Sequence, residues 1–310
     1  MTVPTHLPVL LEAFLERTAP RAGQRWVDGT FGRGGHARTL LERGCQVLAM
    51  DRDAEALAAA ASLQAQFPQQ MKLVQSDFRE IAPRCAELGW DRVDGILLDL
   101  GVSSPQFDDA ARGFSFRHQA PLDMRMDRRQ ELTAALIVNR WDEEDLANCF
   151  YQLAEERDSR RIARAIVRRR SERPIETTTD LAEVVAEAIP HRKGKKIHPA
   201  TQVFQALRMA VNGEREALYE VLPAATALLA PGGALAVISF HSGEDRKVKA
   251  FFKDRSRPCL ETPDFAPAQA NPDYLFSRVE RSLPGEAELA ANPRARSARL
   301  RVAWKREDLS

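Results

Sequence analysis

Short, nearly continuous apolar runs recur through the first hundred positions, and three of them end in an acid: Trp26-Val27-Asp28, Val47-Leu48-Ala49-Met50-Asp51 and Ile96-Leu97-Leu98-Asp99. Runs this short and this apolar predict strands buried on both faces, as in a parallel sheet. Helical spacing fills the gaps between them. Residues 6–18 place Leu7, Leu10, Leu11, Phe14 and Leu15 on one face, a second helix starts near Gly35, and an alanine-rich one covers Ala54 to Phe67. Met71-Lys72-Leu73-Val74-Gln75 adds a strand, followed by Ser76-Asp77-Phe78.

Beyond Asp99 this alternation stops. Residues Glu131–Arg140, Glu143–Glu156, Arg160–Arg170, Thr179–Ile189 and Pro199–Val211 all read as helices, with a threonine cap before Leu181. After a helix over Glu214–Ala230 and a turn at Pro231-Gly232-Gly233, Ala234 to Phe240 is again a buried strand. A helix from Glu244 to Phe252 follows, and Phe276–Val279 with Ala298–Trp304 form a closing antiparallel pair. The expected fold is an α/β Rossmann-like sheet split by an all-helical domain: 1–106 and 213–310 make the sheet domain, 107–212 the insertion.

The 310 residues are 44% hydrophobic, enough for a large core and a satellite. A formal charge of only +1 means that any nucleic-acid surface must come from local clusters. The four cysteines, Cys45, Cys85, Cys149 and Cys259, show no metal-ligand spacing, so no metal is expected. There is neither a signal pattern nor an apolar run long enough to span a bilayer, and a cytoplasmic protein without a membrane partner is expected.

The candidate chemistry starts at Asp28-Gly29-Thr30-Phe31-Gly32-Arg33-Gly34-Gly35-His36, a strand running through a glycine turn into a helix. Such a turn lets backbone amides and a helix N-terminus approach a ligand. Gly32-x-Gly34-x-x-Ala37 also fits a dinucleotide fingerprint. Asp28 argues otherwise: a carboxylate there repels a pyrophosphate but suits a ligand with a cationic amine, such as S-adenosylmethionine. Asp28, Asp51 and Asp99 would share the carboxyl edge of one sheet, where open α/β sheets bind ligands. Asp51 is placed to meet ribose hydroxyls or to cap the next helix, and Phe78 to flank an adenine or cover the core.

The spacing Asp28-x-x-x-Gly32-x-Gly34, with acids ending the second and fourth strands, resembles the class I S-adenosylmethionine-dependent methyltransferase fold. Asp99 with Ser103-Ser104-Pro105-Gln106 looks similar to the loop that carries a polar residue and a proline in amino-methyltransferases. Longer strings narrow the resemblance. Asp28 to His36, Asp94 to Gln106, Arg112-Gly-Phe-Ser-Phe116, Pro121 to Asp127, His198-Pro-Ala-Thr201, Phe204 to Arg208 and Ile238-Ser-Phe-His-Ser242 resemble the MraW family of small-subunit ribosomal RNA methyltransferases. The resemblance runs from Leu7 to Arg301. It implies methyl transfer to the N4 amine of a cytidine in the decoding region of bacterial 16S rRNA, with the small ribosomal subunit as partner. It implies cofactor contacts at Gly34, Gly35, His36, Asp51, Phe78, Asp99 and Gln106, to which the turn itself adds Asp28 and Gly32. Two positions depart from the family: Gly243 stands where leucine is usual, and Gln202 where arginine is usual.

Asp99, Ser103, Pro105 and His241 are the expected catalytic set, Asp99 by accepting hydrogen bonds from the amine. On the substrate side, seven arginines between Arg157 and Arg170, among them Arg164 and Arg168, with Lys195 and Lys196 beyond them, favour phosphate contacts over a plain solvated face. Asp123, Arg125 and Asp127 either form a local ion-pair network or help hold the base; His198 and Arg208 join the substrate set from the matching strings. Phe114, Phe116 and Phe240 are stacking candidates for an extruded cytosine. The rival readings are a non-catalytic, nucleotide-dependent RNA-binding assembly protein and a nicotinamide oxidoreductase, the latter disfavoured by Asp28 and by the lack of a second nucleotide-binding half.

Overall fold

The computed structural model describes residues 8–189, 198–260 and 268–309. In chain order the first part comprises α1 (Leu11–Thr18), β1 (Arg25–Asp28), α2 (Gly35–Glu42), β2 (Gln46–Asp51), α3 (Ala54–Gln66), β3 (Met71–Gln75), α4 (Ile81–Glu87) and β4 (Val93–Asp99). The middle holds α5 (Ser104–Asp108), α6 (Ala134–Arg140), α7 (Glu143–Ala154), α8 (Ser159–Glu172), α9 (Thr178–Ala188) and α10 (Ala200–Asn212). The last part is α11 (Glu214–Leu228), β5 (Leu229–Ser239), α12 (Ser242–Arg255), β6 (Phe276–Ser282), α13 (Glu286–Ala291) and β7 (Arg299–Lys305). The chain divides at Gly101/Val102 and at Glu216/Ala217: the outer segments make one unit, the middle another.

The outer unit is built on a seven-stranded sheet in the order β3-β2-β1-β4-β5-β7-β6. The first five strands run parallel; β7 enters antiparallel beside β5, and β6 antiparallel beside β7. Alternate residues point to opposite faces, which is why the apolar runs have no polar side. Val27, Leu48, Met50, Ile96, Leu98, Leu235 and Val237 form one core with α4, α11 and α12. Trp26, Val47, Ala49, Leu97, Ala236 and Ile238 form the other with α1, α2 and α3. The Trp26 ring needs Gly95 across the β1–β4 pair, because a Cβ there would lie 2.3 Å from it.

The middle unit closes a core of its own around Ile137, Leu146, Phe150, Ile162, Leu181, Val203 and Leu207. Thr133, Asp142 and Thr177 start α6, α7 and α9 by accepting backbone N–H groups, which places α6 three residues later than the apolar spacing suggests.

Two expectations are corrected. Pro231-Gly232-Gly233 is not a turn ahead of a strand; it lies inside β5, where Val93 pairs with Leu229 and Gly95 with Ala234, so the chain bulges and then regains register. Ser104–Asp108, read as loop, is a five-residue helix: Ser103 and Gln106 form a capping box with Pro105 in its first turn.

Candidate active site at the carboxyl ends of β1 and β4

In the sheet order, β1 and β4 are the strands between which the connections reverse, leaving a crevice at their carboxyl ends. Gly29 leaves β1 by donating its N–H to the Leu97 carbonyl at 2.9 Å. A Cβ on Gly29 would meet Leu98 Cδ2 at 2.7 Å, so a larger residue after Asp28 would have to displace that buried side chain. The turn then takes left-handed backbone at Gly32 (φ 54°) and Gly34 (φ 73°), and α2 begins at Gly35.

Asp28 lies beneath this turn, 1% exposed. Its carboxylate accepts from the Thr30 N–H at 3.2 Å and from the Ala37 N–H in the first turn of α2. It therefore organises the cradle from below and acts on a ligand through charge. Burial, reinforced by Asp51, pushes its carboxyl up to about 7. Asp51 ties the turn to β2, with Oδ2 accepting the Gly32 N–H at 2.8 Å and Oδ1 the Asp53 N–H at 2.9 Å. It does not cap α3; Asp53 does, by accepting from the Glu55 N–H. Phe78 sits half-buried with its Cβ 3.3 Å from the position a Gly29 Cβ would take.

Asp99 ends β4. Its N–H donates to Thr30 Oγ1 at 2.6 Å, which pins the strand end to the turn. Its Oδ1 is buried without a hydrogen-bond partner among the described residues, while the side chain as a whole is 24% exposed. Burial first, then the charges of Asp28 and Glu244, hold its carboxyl well above the usual carboxylate range. His36, on α2, brings Nδ1 to 4.0 Å from Asp99 Oδ2. Its Nε2 lies 3.1 Å from the Val9 carbonyl, and burial lowers the imidazole to about 4.

His241 ends the β5 edge as the N-cap of α12: Nδ1 accepts the Glu244 N–H at 3.4 Å, and Nε2 lies 3.1 Å from Glu244 Oε1. Glu244 Oε2 also accepts the Phe240 N–H at 3.1 Å. Thr30, the Val9 carbonyl and Glu244 are parts of this site that the sequence reasoning missed. Thr30 stood inside the glycine turn already singled out, and Glu244 left a signal as an acid in the first turn of a helix that follows a strand end.

Within the middle unit, Gln106 is buried and its Oε1 accepts the Ser103 N–H at 3.1 Å. Asp123 and Arg125 form a two-pronged pair at 2.8 and 2.9 Å, and Asp127 pairs with Arg129 at 2.7 Å, so these acids build a local ion-pair network. Arg208 reaches Glu214 at 2.8 and 2.7 Å. His198 is exposed, accepts the Ala200 N–H at 3.1 Å and stacks against Phe116 at 4.8 Å. Phe114 belongs to the core at 6% exposure, which removes it as a stacking platform.

Of the seven arginines, Arg170 donates to the Val138 carbonyl at 2.8 Å and Arg169 pairs with Glu187 at 3.0 Å. Arg160, Arg161, Arg164 and Arg168 are exposed on α8, and Arg157 is exposed just before it. Lys195 and Lys196 lie outside the described residues.

What this edge can do follows from its charge. Asp28 is a buried acid and Asp99 a partly exposed one, both have raised pKa values, and Asp99 keeps a buried oxygen with no partner among the described residues. A cationic ligand in the cradle would relieve their repulsion and a hydrogen-bond donor would satisfy the oxygen, so the residues fit S-adenosylmethionine, whose sulfonium and amine are both positive. The parallel sheet with its antiparallel seventh strand, the glycine turn after β1 and the acids ending β1, β2 and β4 define a class I S-adenosylmethionine-dependent methyltransferase.

Residues 4–306 match the MraW methylase family, and the chain belongs to it. It is 49% identical over 306 residues to the ribosomal RNA small subunit methyltransferase H of Rhodopseudomonas palustris strain TIE-1, covering 97% of this chain and 91% of that one. The protein of the same name from Heliobacterium mobile is 46% identical over 307 residues, covering 97% and 98%. Among solved structures, an rRNA methylase from Streptococcus thermophilus covers 99% of this chain and 98% of its own at 10% identity and a TM-score of 0.44, too loose a likeness to carry an argument. No described helix is long and apolar enough to cross a membrane.

Proposed function

We propose that this chain transfers a methyl group from S-adenosylmethionine to the N4 amine of a cytidine in the decoding region of bacterial 16S rRNA, in the cytoplasm, with the small ribosomal subunit as its partner. The observation that carries the reading is Asp99: a carboxyl with a buried oxygen that has no partner among the described residues, tied at the strand edge to the glycine turn through Thr30. The names borne by the relatives point to the same RNA.

The bound cofactor supplies an electrophilic methyl group. The cytosine amine is a poor nucleophile because its lone pair is delocalised into the ring. An acceptor holding its N–H aims that lone pair, and Asp99 is rigidly placed to do so. Gly32, Gly34 and Gly35 open backbone room for the cofactor, Asp51 holds the turn, and Phe78 offers a face beside it. Ser103, Pro105 and Gln106 shape the segment after Asp99, and His241 fixes the start of α12. Arg164 and Arg168, with Arg160 and Arg161, supply the phosphate contacts on the middle unit. Asp123, Arg125, Asp127, His198 and Arg208 join the substrate side on the strength of the family resemblance, each held in place by its own local contacts.

The test is mass spectrometry of small-subunit rRNA fragments after incubation with the protein and labelled cofactor. One methyl on a cytosine N4 is expected, with none from Asp99→Ala. Binding of RNA without incorporation by the folded wild type would favour the assembly-protein reading instead.

A further inference from the structure

Methylating an amine releases a proton, and the edge that receives it contains a second group with a fixed role. His36 is 6% exposed, and its Nε2 lies 3.1 Å from the Val9 carbonyl oxygen. A carbonyl can only accept, so Nε2 carries the ring hydrogen and Nδ1 of the neutral ring is a bare acceptor. Phe14 packs edge-on against the ring at 5.6 Å and fixes its plane. Nδ1 is the nitrogen turned toward Asp99, 4.0 Å from Oδ2. Two acceptors face one another, an arrangement that gains energy only when a proton stands between them. The charged groups near Asp99 from the neighbouring elements are Asp28 at the end of β1 and Glu244 on α12, and both are acids that favour its arrival.

We propose that Asp99 takes the proton released by the amine and that His36 is the positioning residue that holds the resulting carboxyl, accepting its O–H at Nδ1. The balance is simple. The amine lone pair becomes the new N–C bond, the electrons of the broken C–S bond stay on sulfur, and the N–H pair stays on nitrogen as its proton passes to a carboxylate oxygen of Asp99. The 4.0 Å gap closes by about 1 Å to reach hydrogen-bond length, a movement within reach of a carboxyl rotation and typical of sites that tighten during reaction. The inference rests on the methyl-transfer reading above.

Two substitutions separate the nitrogens of the ring. His36→Gln puts an amide N–H near the place of Nε2, keeping the Val9 contact, and removes the acceptor at Nδ1. His36→Asn keeps an acceptor near Nδ1 and gives up the Val9 contact. The Asp99 carboxyl is followed directly in cofactor-free protein by 13C-carboxyl aspartate labelling, with Asp99→Asn for assignment. In His36→Gln it is expected to titrate about one pH unit lower, because its protonated form has lost an acceptor, with kcat at saturating cofactor falling about tenfold. The acid limb of the kcat profile should follow the carboxyl, and His36→Asn should recover part of both changes. An Asp99 titration that ignores His36→Gln, or equal losses in the two variants, overturns the proposal. A wild type that methylates no rRNA overturns the parent reading, a result distinct from any change in the carboxyl titration.

Discussion

Asp28 is a site where function opposes stability, and replacing it by asparagine measures the conflict. Its carboxyl is 1% exposed and raised from 3.8 to about 7, chiefly by burial. Below about pH 4 the group is protonated in both folded and unfolded chains. Between about pH 4 and 7 only the folded state keeps the proton, so this group lowers stability progressively as pH rises, and the effect levels off above 7. At about 1.4 kcal/mol per pKa unit, the native state is penalised by roughly 1–2 kcal/mol at pH 5 and ~4 kcal/mol at pH 8. Asparagine removes the penalty, keeps one acceptor oxygen and loses one backbone hydrogen bond, which costs about 1 kcal/mol. The variant should therefore be close to wild type at pH 5 and more stable by about 3 kcal/mol at pH 8. Urea unfolding of both proteins, without cofactor, at the two pH values reads this directly. The difference between proteins is the quantity to follow, because His36, lowered to about 4, gives the opposite trend between pH 4 and 6.5 in both. A variant less stable than wild type at pH 8, or an advantage that does not grow with pH, would refute the reasoning. Calorimetry should at the same time show weaker binding of S-adenosylmethionine, since a negative charge beneath the cradle is gone.

Other outcomes follow from the same geometry. Gly34→Ala forces a residue with a Cβ into φ 73° and places that Cβ 2.4 Å from the Phe31 ring, so cofactor binding measured by calorimetry should be lost. Thr30→Val removes the acceptor of the Asp99 N–H and should cost about 1–2 kcal/mol in thermal unfolding, with a drop in methyl transfer. Of the four thiols only Cys259 is exposed, and burial raises Cys45 and Cys85 to about 11 and Cys149 to about 12; a thiol reagent should label one cysteine in native protein and four in urea. Replacing Arg164 and Arg168 by glutamine should weaken RNA binding and reduce the slope of log affinity against log salt by about 1.5–2, and an unchanged slope would remove α8 from the interface.

The sheet was legible because its strands are buried on both faces, so Val47–Met50 and Ile96–Leu98 have no polar face to confuse the period. The carboxyl-edge acids were legible for a related reason: each ends an apolar run. What could not be read was the division of labour among them. Asp28 and Asp51 spend their oxygens on backbone N–H groups brought near only by the tertiary turn, at Thr30 and Ala37 in one case and at Gly32 and Asp53 in the other. Pro231-Gly232-Gly233 looked like a turn because local chemistry says so, yet pairing with β4 at Leu229 before it and at Ala234 after it carries the strand across, and β7 joins only from Ala234 onward. The arginines of α8 looked alike in sequence, while Arg169 and Arg170 are used up by Glu187 and Val138, partners distant in the chain.

The split of the chain into an interrupted outer unit and a continuous middle one also sets an order of events during synthesis. β4 emerges from the ribosome long before its sheet partner β5, and β5 pairs with β7, which arrives last. The middle unit closes its core from segments between Val102 and Glu216 and has everything it needs while the sheet still lacks three strands. Vectorial synthesis thus delivers a complete helical unit beside a half-finished sheet whose β4 edge is exposed. Slow codons or a pause just after Glu216 would prolong that exposure, so the vulnerable interval for aggregation is tied to translation speed over the stretch from α11 to β7.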